Sequence, residues 1–170
     1  MDEVATQMQT VNLKGELLCY ADIELDRDAP IQLGRTPWRH LRVSNIAGGR
    51  FEGPRMSGQI LRSGADWAEQ GFDAEGRATS MLDVRSVWRC DTGALVHVTY
   101  GGRVVVPASI FETYCDLSRV ESLPVEKYYF RTCPSFQTSD EQLAWLNNIV
   151  AVGLGRRTRR GVQYKIYEIL

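Results

Sequence analysis

The sequence predicts a mainly β protein, one antiparallel barrel or sandwich with one or two short helices. Three observations lead there. Turn signals recur roughly every ten residues between extended segments, a spacing that favours a barrel or sandwich over a βαβ sheet. Helical patterns are confined to two short stretches. No internal repeat or low-complexity linker divides the 170 residues, a length that suits one domain around one core. Residues 1–12 are polar and read as a flexible leader, leaving 13–170 as the domain.

The elements follow in order. LKGELLCYADIEL alternates and reads as a strand, and DRDAPIQLGRTPW reads as a loop punctuated by Asp, Pro and Gly. RHLRVSNIAGG is a second strand. In RFEGPRMSGQIL the pair Gly53-Pro54 forbids a regular central ladder, because Pro has no donor and Gly marks a bulge or close approach. ADWAEQGF, DAEG and RATSMLDVRSVWRC form a hairpin. DTG turns the chain into ALVHVTY, and GGRVVV reads as a further short strand after a glycine turn. PASIFETYCDLSRV is helical, with Pro107 at a favourable start and Ile110, Tyr114 and Leu117 on one face. VEKYYFRTCPSF is an aromatic-rich strand. TSDEQLAWLNN carries capping-box spacings at Thr138/Glu141 and Ser139/Gln142 and reads as a short helix. NIVAVGLG, RRTRRG and VQYKIYEI close the chain as a hairpin.

Composition narrows the function classes. A formal net charge of −1 gives no chain-wide claim on nucleic acid or membrane. Lys stands only at 14, 127 and 165, so the positive charge is nearly all Arg. That reflects either a coding bias or a use for planar pairing and ring stacking. The four cysteines, Cys19, Cys90, Cys115 and Cys133, have no CxxC spacing, and the N-terminus has no signal pattern. Reduced thiols in a cytoplasmic protein are expected. With two histidines, His40 and His97, no His-rich metal site is available, and no calcium-loop spacing occurs. No metal or other cofactor is expected.

Several residues could carry chemistry. In SMLDVRSVW, Met81, Asp83, Arg85 and Val87 share one face and Leu82, Val84, Ser86 and Trp88 the other. Asp83 and Arg85 either pair across one face of the sheet, worth about 0–1 kcal/mol if exposed, or meet a bound molecule. In KYYFRTC, Tyr129 and Arg131 share a face and could polarise a carbonyl or phenolate oxygen; alternatively the strand is core and its Arg emerges at the surface. Glu52, Arg55, Asp66 and Trp67 lie near turns, where binding groups concentrate. A carboxylate beside an indole in a dry pocket would have a raised pKa; equally, Asp66 caps the turn after Gly64 and Trp67 is core. The arginines of RRTRRG read as a polar hairpin tip rather than a nucleic-acid site, since the interleaved aromatics of a strand binder are missing.

The segments LGRTPW, GGRFEGPRMSGQIL, GADW, DTGALVHV, YYFRTCPSFQT, WLN and YKIYE occur in an order that resembles the domain of unknown function 3237 family, from about Leu13 to the C-terminus. Arg39 in TPWRHLR stands where the family pattern suggests Gly. The resemblance implies a single compact antiparallel β-barrel of lipocalin-like or streptavidin-like architecture, and as motif positions Glu52, Arg55, Asp66, Trp67, Asp83, Arg85, Tyr129 and Arg131. It implies little about activity.

The expected function is a cofactor-independent acid–base enzyme, an isomerase, cyclase or lyase/hydratase, acting on a small aromatic or polyketide-like carbonyl compound held in the barrel. Asp66, Asp83 and Tyr129 are the catalytic candidates; Glu52, Arg55, Trp67, Arg85, Arg131 and Trp145 are the binding candidates. The alternatives are a barrel that carries an apolar small molecule unchanged, and a solid barrel serving as an interaction protein. A homodimer is the expected assembly.

Overall fold

The computed structural model describes residues 12–26 and 30–170; the predicted flexible leader, apart from residue 12, lies outside the described residues. The described residues form ten strands: β1 (Gly15–Leu25), β2 (Ile31–Arg35), β3 (His40–Glu52), β4 (Ser57–Ile60), β5 (Ala65–Phe72), β6 (Ala78–Cys90), β7 (Leu95–Val106), β8 (Tyr129–Gln137), β9 (Val150–Arg157) and β10 (Gly161–Ile169). Among the described residues one α-helix, α1 (Ala108–Cys115), follows β7. The strands pair antiparallel around a closed ring, because β1 bonds both β10 and the second half of β3. β4 and β5 together make one stave, between β3 and β6, so the wall is an eight-stave barrel. β2 continues the β1 stave along the first half of β3.

Alternation decides what the wall encloses. In β7, Val96, Val98, Tyr100, Val104 and Val106 are buried; in β6, Leu82, Val84, Ser86 and Trp88; in β8, Phe130, Thr132 and Phe136. These inward rows split the interior into two parts. One end is filled. Trp88, 1% exposed, stacks on Phe51 at 4.7 Å and meets Phe136 edge-on at 6.3 Å. Its indole N–H donates to Ser86 Oγ at 3.1 Å, so the ring is buried without an orphaned donor. Leu18, Cys19, Met56, Cys90 and Leu146 complete this apolar plug. The other end, where α1 and the β9–β10 hairpin sit, is hollow.

Three elements differ from the sequence reading. Residues 31–35 form β2 rather than loop. GGRVVV is not a separate strand: β7 runs straight through Gly101-Gly102. Gly102 is there for close approach, since a Cβ would lie 2.7 Å from the Arg131 carbonyl and 2.8 Å from Thr132 Cγ2. The expected helix in TSDEQLAWLNN is only a 3₁₀ segment, Ala144–Asn148. Asp140 takes the backbone N–H groups of Gln142 and Leu143 at 3.0 and 3.1 Å, a local turn that competes with a capping box.

Candidate functional site

The hollow end holds a cavity of about 1510 Å³. Its floor is apolar, with Leu82, Val84, Val104 and Phe130; its walls carry Arg42, Asp66, Tyr100, Tyr164 and, from α1, Tyr114; Arg157 comes from the end of β9. The mouth is rimmed by two ion pairs, Arg160–Glu24 at 2.7 Å and Arg62–Asp26 at 3.0 Å.

Asp66 is set by the turn that precedes it. Gly64 has φ +84°, and a Cβ there would strike the Arg85 carbonyl, so the chain folds tightly against β6 just before β5 begins. The β5–β6 ladder pairs Asp66 with Val84 and resumes at Glu69 with Met81. In the interruption the Asp83 backbone N–H donates to Asp66 Oδ1 at 3.3 Å. Burial pushes the Asp66 carboxyl up to about 6, against the Arg42 charge and the Asp83 N–H, which both favour the ionised form. The site thus holds a carboxyl group poised to gain or lose a proton near neutrality.

The cations and phenols around it are equally shaped by burial. Arg42 is held below the usual guanidinium range, by desolvation first and then by the charge of Arg157. Its Nε–H is buried with no hydrogen-bond partner among the described residues. Arg157 lies over the Tyr114 ring, its Cζ 5.1 Å from the centroid. Burial pushes the Tyr114 phenol up to about 12 and raises Tyr100 and Tyr164 as well. Tyr100 and Tyr164 pack edge to face at 5.6 Å, and Tyr164 packs likewise on Phe130 at 5.5 Å. All three tyrosines therefore remain protonated near neutral pH and act as hydrogen-bond donors rather than bases.

Of the nine residues singled out from the sequence, Asp66 alone lines this cavity. Asp83 and Arg85 lie on the outer face, with side chains 60% and 65% exposed and 3.9 Å apart. Trp67 is also outside, and with Asp83, Arg85 and Arg103 it borders a shallow groove over the β5–β6 interruption. Tyr129 and Arg131 do sit together, the guanidinium 5.1 Å from the ring centroid, but on the outer surface. Glu52 is exposed beside Arg50. Arg55 stacks on Trp145 at 3.4 Å and pairs with Glu168, away from the cavity. The expectation that Asp83, Arg85, Tyr129 and Arg131 converge inside the barrel is thus corrected. The physical reason is the same in both strands: the opposite face, with Leu82, Val84 and Trp88 or Phe130 and Phe136, buries more apolar surface.

Arg42, Tyr100, Tyr114, Arg157 and Tyr164 were not foreseen as site residues. Alternation could have found two of them, since Tyr100 continues the Val96, Val98 row and Tyr164 precedes Ile166 on one face. Arg157 was concealed in a run that otherwise looks like a solvated tip, and three of its neighbours are indeed engaged there: Arg156 with the Glu121 carbonyl, Arg159 through its backbone N–H with Glu121, and Arg160 with Glu24. Among the described residues, no group of three or more His, Cys, Asp and Glu side chains is gathered as metal ligands require. No described helix is long and apolar enough to cross a membrane.

Comparison with known proteins agrees with this architecture. Residues 15–169 match the family described as protein of unknown function DUF3237. A UPF0311 protein of Clostridium acetobutylicum is 28% identical over 148 residues, 86% of this chain and 89% of the relative. A β-barrel-like protein of Acinetobacter baumannii, solved by crystallography, is 29% identical with a TM-score of 0.76, covering 94% of this chain and 98% of the other. A conserved protein of unknown function from Rhodopseudomonas palustris superposes with a TM-score of 0.81 at 25% identity, covering 95% and 100%. The barrel also resembles that of an enzyme from Penicillium herquei, at a TM-score of 0.61 and 18% identity, a likeness of fold alone.

Proposed function

The chain belongs to the DUF3237 family, and from the cavity its barrel encloses we propose that it is an acid–base enzyme acting on a small aromatic or polyketide-like carbonyl compound. The single observation that carries this reading is Asp66, a carboxyl group with its pKa raised to about 6 on the wall of a cavity otherwise furnished with phenols and guanidinium groups.

The chemistry follows from the roles burial leaves open. Ionised Asp66 removes a proton from carbon next to the carbonyl. The oxygen gathers negative charge, which Tyr100 and Arg42 stabilise as donors, the Tyr164 hydroxyl donating in turn to Tyr100. Return of the proton to another carbon isomerises the compound, loss of a β-substituent is a lyase step, and attack of the carbanion on a second carbonyl in the same molecule closes a ring. A positioned acid–base group contributes about 10²–10⁴-fold and an oxyanion donor about 10²–10³-fold. The apolar floor would equally suit a carrier that releases its guest unchanged, so the test has to separate turnover from binding.

That test is hydrogen exchange in D₂O. The protein is incubated with a panel of small aromatic and polyketide-like 1,3-dicarbonyl compounds and the products are weighed by mass spectrometry. Deuterium uptake above the buffer rate, or a new product, is expected with the native chain and lost in Asp66→Asn. Equal uptake in the two proteins overturns the role of Asp66. Compounds that bind yet return unlabelled and unchanged favour the carrier.

A further inference from the structure

The cavity is cationic in a chain that is not. Among the described lining residues stand five arginines, Arg42, Arg62, Arg157, Arg159 and Arg160, against the carboxylates of Glu24, Asp26 and Asp66. The whole chain has a formal net charge of −1. At the mouth the charges cancel in pairs, Arg62 with Asp26 and Arg160 with Glu24. Deeper, they do not. Neither Arg42 nor Arg157 has a carboxylate within ion-pair distance among the described residues. Both line the same cavity, and the charge of Arg157 acts directly on Arg42.

Holding two guanidinium groups together in a partly dry cavity is unfavourable unless something acidic joins them. Asp66 supplies at most one negative charge. The buried Arg42 Nε–H, with no acceptor among the described residues, is the second sign that an oxygen belongs there, since buried donors are rarely left unpaired. Guanidinium groups match carboxylates because their N–H fork spans two oxygens. Beside them, Phe130 and Tyr164 offer edge-to-face ring surfaces suited to a flat guest.

We infer that the cavity receives a small planar carboxylate, whose oxygens accept hydrogen bonds from Arg42 and Arg157 and whose ring lies against Phe130 and Tyr164. This rests on the acid–base reading and narrows its substrate class: the carbonyl compound carries a carboxylate of its own, which anchors it while Asp66 works on the carbon beside its carbonyl.

The test compares 2-naphthoate with its neutral isostere 2-naphthamide by fluorescence titration near neutral pH. The native chain should bind naphthoate at least about tenfold more tightly, with the preference shrinking as salt is added. Arg42→Gln and Arg157→Gln should each reduce the preference several-fold, weakening naphthoate binding more than naphthamide binding. Where circular dichroism shows that Arg42→Gln does not fold, Arg42→Lys takes its place, keeping the charge and removing the Nε donor. A preference of unity or below in the native chain, lack of binding by both probes included, overturns the inference. The same holds for a preference that survives both substitutions.

Failure here is distinguishable from failure of the catalytic reading. Asp66→Asn removes a negative charge, so it should bind naphthoate as well as or better than the native chain. Naphthoate binding without any deuterium exchange in the native chain sinks the catalysis and keeps the ligand class. Exchange on neutral dicarbonyls with no naphthoate preference does the reverse.

Discussion

Asp66 Oδ1 accepts the backbone N–H of Asp83 at 3.3 Å, while the Asp83 carboxylate itself points to solvent. One acidic residue is therefore held inside the barrel by the main chain of the other. This contact fills the break in the β5–β6 ladder and fixes the inner carboxyl group on a strand rather than a loop. It also partly compensates the burial that raises the Asp66 pKa.

Asp66 is expected to cost stability at neutral pH. Its pKa is near the ordinary carboxylate value, about 3.9, in the unfolded chain and about 6 in the fold. Between those values the folded state binds more protons, so stability falls as pH rises through this window. The loss is of order 2–3 kcal/mol if no other group compensates. Asp66→Asn should therefore raise the melting temperature near neutral pH by several degrees and flatten the slope of stability between about pH 4 and 6. A melting temperature that falls in the variant would contradict the burial argument.

Proton abstraction should follow the same group with the opposite benefit. The base must be ionised, so kcat/KM should rise through about pH 6 and level off above it. The groups around Asp66 support one titration in this range: Arg42 from β3 stays charged, and Tyr100, Tyr164 and Tyr114 stay neutral. A deuterium-exchange rate measured from pH 4.5 to 8.5 checks this, and a flat profile excludes Asp66 as the base.

The outer residues give the matching control. Asp83→Ala removes an exposed side chain and keeps the backbone N–H that holds Asp66. Tyr129→Phe removes one hydroxyl from the outer surface. Each should leave exchange within about twofold of native and stability within about 0.5 kcal/mol. A tenfold loss in either would return the chemistry to the outer groove beside Trp67.

Trp88 anchors the filled end. It is 1% exposed, stacked on Phe51 and bonded to Ser86. Trp88→Ala should cost about 3–5 kcal/mol in denaturant unfolding, a large share of the stability of such a domain. Trp88→Phe should retain much of it, since the stacking face survives.

The barrel was legible in the sequence because strand period, turn residues and the GGRFEGPR and GADW segments all point the same way. Of the residues lining the candidate site, the sequence reading singles out only Asp66. Choosing the face of each strand was the weak step. Asp83 and Arg85 look purposeful as a pair, and Leu82, Val84 and Trp88 look ordinary, yet apolar area decides which row turns inward. The lining of the cavity comes from nine of the described strands and a helix, and no local spacing announces that Arg42, Tyr114 and Arg157 share it. Nor does sequence spacing reveal that Gly102 lets β7 continue where a turn was expected.

The plug around Trp88 makes the barrel a cup rather than a pipe. Whatever enters must leave by the rim it came through, past the Arg160–Glu24 and Arg62–Asp26 pairs. A reaction that needs two partners would load them one behind the other, the first to arrive being the last able to depart. Traffic at that single doorway, rather than the proton transfer itself, would then set the pace of repeated cycles.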